Sequence, residues 1–126
     1  MAVTTSTVSD PLYTTVVVDT TADTTLETFN DANTTLYQLE IINPNSKAVW
    51  VRINWAASGT ATSTQNDNIF YCGATTSCYY IFGTGGYAIE AGLRVWCSTE
   101  KGLGGGAVTL NSPSTPVTVR MALKDT

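Results

Sequence analysis

Three cysteines and four glutamates are the side chains of this 126-residue sequence best suited to chemistry, and histidine is absent. That absence removes the commonest general base and the commonest zinc-ligand nitrogen, so triad hydrolysis and histidine-bearing metal sites are excluded. Glu27, Glu40, Glu90 and Glu100 would serve as a glycosidase pair only if folding brought two of them to the required separation, which no spacing in the chain encodes. Residues 65–68 (QNDN) offer a single carboxylate to calcium, an ion that takes about 6 to 8 oxygens. The run 102–106 (GLGGG) lacks the Lys-Ser/Thr and the helix of a phosphate loop and reads as a mobile loop. Cys72 and Cys78 flank a five-residue turn. That spacing admits a disulfide at the base of a hairpin, where facing side chains approach closely. The competing reading is two small apolar residues kept reduced in a cytoplasm. Cys97 shares the side of Leu93 and Val95 and reads as packing, because free cysteine is among the most buried residue types. No catalytic residue, metal or cofactor follows from this set.

Binding chemistry is better represented. Residues 36–55 (LYQLEIINPNSKAVWVRINW) form two alternating runs around Asn43-Pro44-Asn45-Ser46 and predict a β-hairpin. The period of two puts Tyr37, Leu39, Ile41, Val49, Val51, Ile53 and Trp55 on one side, and Gln38, Glu40, Ile42, Trp50, Arg52 and Asn54 on the other. In that hairpin Glu40 lies diagonal to Arg52 and predicts a cross-strand ion pair. Residues 93–97 (LRVWC) repeat the pattern, with Arg94 and Trp96 opposite in parity to Leu93 and Val95. Trp and Arg are enriched at the centres of protein interfaces. Trp50, Arg52, Arg94 and Trp96 therefore predict one aromatic and cationic patch, provided their strands share a sheet.

The elements that must position these residues are short strands. Thr dominates residues 1–33, and β-branched Thr favours extended backbone. This part reads as an extended arm that packs on the domain or on a neighbour, and 34–126 as the β-sandwich domain. Further strands are predicted at 12–19, 24–29, 68–72, 78–82, 87–90, 93–99, 108–110 and 116–124, with hairpins across 73–77 and around 91–92. No segment carries apolar residues at helical spacing over three turns. The fold class is all-β: an antiparallel sandwich, jelly-roll or immunoglobulin-like, of about eight short strands without substantial helix. At this length a single core is expected. A net charge of -4 argues against nucleic acid, which calls for a basic surface. No apolar run reaches the roughly 18 residues of a membrane span, and residues 1–10 (MAVTTSTVSD) lack the features of a secretory signal.

From about residue 34 to 124 the chain resembles small β-sandwich structural proteins of tailed bacteriophage virions. The resemblance is carried by L-Y-x-L-E-I-x-N at 36–43, V-x-V-x-I at 49–53, the apolar segments of 69–82, G-L-R-V at 92–95 and V-T-V-R-M-A-L at 117–123. It implies a non-enzymatic capsid decoration or cement protein on the outer capsid surface, made in the host cytoplasm. Its implied partners are the major capsid protein and other copies of itself, most often as a homotrimer, with no nucleic acid and no membrane. The cysteines, Trp50 and Trp96 depart from that pattern. A second reading is a glycan- or receptor-binding module of a tail or head fibre, with Trp50, Trp96, Tyr79 and Tyr80 stacking on sugar rings.

Overall fold

The computed structural model describes residues 3–8, 13–55, 68–90, 92–100 and 110–125, and among them no helix occurs. Ten strands follow one another: β1 (Val3–Thr7), β2 (Thr15–Ala22), β3 (Glu27–Asn30), β4 (Thr34–Asn43), β5 (Val49–Asn54), β6 (Asn68–Cys72), β7 (Thr76–Ile81), β8 (Tyr87–Ile89), β9 (Leu93–Ser98) and β10 (Val117–Asp125). The larger sheet has the order β1-β2-β10-β4-β7, with β8 also on β4, and the smaller sheet the order β3-β9-β5-β6. Every pairing is antiparallel.

The pairings are nested. β2 meets β10, β3 meets β9, β4 meets β7 and β8, and β5 meets β6. Rolling that long double ladder brings β10 against β4 and β9 against β5 as well, which is the winding of a jelly roll. β7 and β8 run along one strand line opposite β4, interrupted at 82–86 by a turn containing Gly83 and Gly86 at positive φ. Gly86 is required there, because a Cβ would collide with Thr35 and Tyr37.

This winding corrects the three predicted hairpins. β4 and β5 lie in different sheets, as do β6 and β7, and β8 and β9. Their short connections cross the sandwich from one sheet to the other. The ion pair expected between Glu40 and Arg52 is therefore replaced: Glu40 bonds Arg120 at 2.8 Å on β10. Parity survives the change, since either arrangement turns the same side chains inward. Leu39, Ile41, Val49, Val51, Ile53, Val95, Val119 and Met121 all belong to one core built from both sheets. Tyr37 is an exception. A register shift in the β4–β10 ladder pairs Leu123 with Leu36 and Ala122 with Gln38. The extra residue on β4 reverses the alternation, so Leu36 is buried and Tyr37 only half-buried. Trp55 lies beyond the end of β5, exposed and edge-on to Tyr87 with ring centroids 5.9 Å apart.

The described residues within 1–33 contribute strands to both sheets. β1 folds back on β2 and β2 adds to β10, while Val17, Ala22 and Phe29 enter the core. Of the predicted strand 108–110, only Leu110 is among the described residues, and it is not in a strand.

Buried asparagines tie the crossing loops together at one end of the roll. Asn43 Nδ2 donates to the carbonyls of Lys47 and Gly73, both at 2.9 Å. Asn45 Nδ2 donates to Asn43 Oδ1 at 2.9 Å and to the Thr115 carbonyl at 3.0 Å. Asn45 Oδ1 accepts from Thr115 N–H at 2.7 Å and from the Ser114 hydroxyl at 3.3 Å. Connections that leave one sheet and enter another cannot satisfy their backbone in a ladder, and side-chain amides provide the missing partners.

Candidate functional site

The smaller sheet does bring the four predicted interface residues onto one face. Arg52 stands opposite Trp96, Asn54 opposite Arg94 and Trp50 opposite Ser98. It does not leave them free. Trp96 is 1% exposed and Arg52 fully buried, with Trp96 packed against Leu110 and half-buried Leu26. Arg52 Nε donates to Ser98 Oγ at 3.0 Å and its guanidinium donates to the Glu100 carbonyl. Burial lowers its pKa, and the nearby Glu100 acts in the opposite direction. Arg94 is half-buried and donates to the Asn30 carbonyl at 3.2 Å. Arg52 and Trp96 are thus packing residues: Leu26 and Leu110 lie against Trp96, and Ser98 with the Glu100 carbonyl takes up the Arg52 guanidinium. Outward parity predicts the face, but what lies over that face comes from a distant part of the sequence.

The glycan-stacking candidates do not converge either. Trp50 is half-buried and edge-on to exposed Tyr71, at 5.5 Å between centroids. Tyr80 points to the core, edge-on to Phe70, and Tyr79 lies on the outside of the other sheet.

That other outer face, on the larger sheet, is the open one. Across it run Ser77, Tyr79 and Ile81 of β7, Ile42, Glu40 and Gln38 of β4, Thr118, Arg120 and Ala122 of β10, and Val18 and Val16 of β2, in facing register. Ile81 is 75% exposed, Tyr79 59% and Ile42 39%, an apolar row beside the Glu40–Arg120 ion pair. The row borders a shallow depression of about 200 Å³ lined by Tyr13, Val16, Gln38, Glu40, Tyr79 and Arg120. A hydrogen bond to Glu40, together with that carboxylate's charge, raises the Tyr79 phenol above its ordinary value. Glu40 is thereby engaged by a guanidinium and a phenol, an arrangement suited to holding a surface in shape. The sequence signal that could have found this face is the segment TSCYYI at 76–81, which places large apolar groups on both sides of one strand.

The remaining polar candidates are occupied or dispersed. A cleft of about 300 Å³ beside the asparagine corner is lined by Asn45, Ser46, Lys47, Thr99, Glu100 and Asn111, among others. Within it the Glu100 carboxylate accepts from the Asn111 N–H, from Asn111 Nδ2 at 3.0 Å and from the Thr99 hydroxyl at 2.7 Å. Burial pushes that carboxyl upward, but these hydrogen bonds outweigh it and hold the group below the ordinary value. Glu27 lies on β3 and Glu40 on β4, while Glu90 and Glu100 follow β8 and β9. Among the described residues no group of three Cys, Asp or Glu could hold a metal. Residues 65–67 and 102–106 lie outside the described ones.

Cys72, Cys78 and Cys97 are free thiols. Cys72 and Cys78 come from strands of different sheets, so they face each other across a corner of the sandwich rather than across a hairpin. Burial, followed by the hydrogen bond and charge of Cys78, pushes the Cys72 thiol up to about 12. Burial does the same to Cys97, up to about 12. Comparison with protein-family models, curated proteins and solved structures finds no match for the chain.

Proposed function

We propose that this chain is a non-enzymatic structural protein of a virus particle, a decoration or cement protein that stabilises a phage head by binding across capsid subunits. The observation that carries the reading is the open apolar row Ile42, Tyr79 and Ile81 on the outer face of the larger sheet. Large apolar groups gathered on an exposed face mark a surface to be covered by another protein. The jelly roll adds a weaker argument by analogy, since the fold recurs in capsid proteins but also in lectins. The docking face is then the larger sheet, not the Trp50 and Trp96 side inferred from parity. The partner is the major capsid protein, the chain acts as a homo-oligomer, and its place is the outer surface of the head after synthesis in the host cytoplasm.

The test is attachment to particles stripped of the protein. Ile42→Lys puts a charge at one end of the row, beside Tyr79, without touching the core or a strand edge, and it should abolish attachment while the circular dichroism stays that of the wild type. Attachment at wild-type level would defeat the reading. The glycan-binding alternative is favoured by a different feature, the Trp50–Tyr71 pair on the smaller sheet. It predicts tryptophan fluorescence quenched by soluble oligosaccharides and lost in Tyr71→Ala.

A further inference from the structure

We infer that the open edge of β7 is a self-pairing edge, by which two copies of this chain join their larger sheets into one continuous sheet. The inference deepens the assembly reading and rests on it for its biological setting, but its geometry stands apart. Among the described residues, β7 is the last strand of its sheet and pairs only with β4. Phe82 N–H donates to the Tyr37 carbonyl at 3.1 Å, and in an antiparallel ladder the hydrogen-bonded pairs alternate. Residues 78 and 80 therefore direct their backbone groups at β4, while Ser77, Tyr79 and Ile81 direct theirs outward. All three are exposed.

Those outward groups are symmetric about Tyr79. If a second β7 approaches antiparallel with Tyr79 facing Tyr79 of the other copy, Ser77 faces Ile81 on either side. Three residues of each chain then exchange two hydrogen bonds per facing pair. Sliding by two residues either way leaves only two such pairs within β7. Sliding by one residue would turn outer side chains onto the inner face.

The occupant is a second copy because the edge carries nothing that would repel itself. Residues 76–81 (TSCYYI) contain no charge and no proline, the devices that ordinarily protect an edge strand. The other edges differ. β3 carries Glu27, β6 has its Tyr71 carbonyl already capped by the Tyr80 hydroxyl, and β1 presents small Thr and Ser side chains. Joining two β7 strands also makes the apolar row continuous across the two-fold axis, with Ile42, Tyr79 and Ile81 from each copy on one face. The contact lies at the low end of interface sizes, below about 1,200 Å². Pairing is thus weak in solution and strengthened where copies are held side by side on a particle. An isologous edge gives a dimer, not the trimer that the resemblance implies.

The experiment uses the full chain. In sedimentation equilibrium up to roughly 1 mM, a range that reveals weak association, the wild type should reach a dimer. Ser77→Pro should remain monomeric, because it removes an N–H that points only at the partner and leaves the β4 ladder intact. Ile81→Lys, which adds a charge to the edge, should do the same. Cross-linking fixes the register. In a Cys78→Ser background, Tyr79→Cys should form a disulfide between copies, since facing Cα atoms in a hydrogen-bonded pair lie about 5.5 Å apart. Ile81→Cys should not, because four residues of strand, about 13 Å, separate it from its counterpart. A wild type that stays monomeric throughout, or cross-linking at position 81 instead of 79, overturns the inference. A monomeric wild type that still attaches to particles would defeat the pairing and leave the docking face standing. Attachment unaffected by Ile42→Lys, with the dimer and the 79–79 cross-link present, would do the reverse.

Discussion

Asn45 is the position where one atom's chemistry decides whether the crossing loops hold. Its side chain is 4% exposed and makes four hydrogen bonds, three of them at 2.7 to 3.0 Å and that from Ser114 at 3.3 Å. In Asn45→Ala all four bonds are lost, the three shorter ones at about 0.5 to 1.5 kcal/mol each. Ser114 and Thr115 are exposed, so water replaces part of what they lose, and the expected cost is about 2 to 3 kcal/mol. Asn45→Asp is nearly isosteric and keeps both acceptor bonds, but it puts an oxygen where Nδ2 donated to Asn43 Oδ1 and to the Thr115 carbonyl. At neutral pH it should cost at least as much as alanine. Those facing acceptors favour the protonated acid, so the variant's folded pKa lies above the unfolded value of about 3.9. Its deficit relative to wild type is full above the folded pKa and shrinks as pH falls toward the unfolded one. Urea unfolding followed by tryptophan fluorescence measures both. With a slope of about 1 to 3 kcal/mol/M, the alanine variant's midpoint should fall by roughly 0.7 to 3 M. A cost below about 0.5 kcal/mol, the range of ordinary surface changes, would refute the argument, as would an aspartate variant as stable as wild type at pH 7.

Leu39→Ala and Ile53→Ala, one in each sheet and both fully buried, should each cost roughly 2 to 5 kcal/mol in the same assay. A loss below about 0.5 kcal/mol would place the residue outside the core. Arg52→Met removes charge-assisted bonds to Ser98 and the Glu100 carbonyl and should cost about 2 to 4 kcal/mol. Arg120→Ala, at a half-exposed ion pair, should cost only about 0.2 to 1 kcal/mol, and equal losses would contradict the burial of Arg52. Cys72 and Cys97, both buried with thiols pushed up to about 12, should resist iodoacetamide at pH 7.5 until urea unfolds the chain. Mass mapping that finds Cys97 alkylated in the native protein would count against its packing. The wild type's advantage over Glu100→Gln should be full above the ordinary carboxyl value of 4.5 and vanish as pH falls through the depressed folded value. An advantage that grows on acidification would reverse the assignment.

The direction in which side chains point is fixed locally, strand by strand. In β5, β9 and β10 the period of two is a property of each strand alone, and it sends Val49, Val51, Ile53, Val95, Val119 and Met121 inward whatever the neighbouring strand. That is why the core was legible while the pairing was not. Both a hairpin and a sheet-to-sheet crossing place Leu39 and Val51 on the inner side, so no pattern in 36–55 distinguishes them. The choice belongs to β10, more than sixty residues beyond β5, which takes the place beside β4 that β5 would otherwise hold. The site divides in the same way. Outward parity correctly grouped Trp50, Arg52, Arg94 and Trp96 on one face, but Leu26 and Leu110, distant in sequence, cover Trp96, and the Glu100 carbonyl takes the Arg52 guanidinium. On the larger sheet no described residue covers Ile42, Tyr79 and Ile81 to that degree. Local periodicity sets which way a residue points. Only long-range packing decides whether anything lies on top of it.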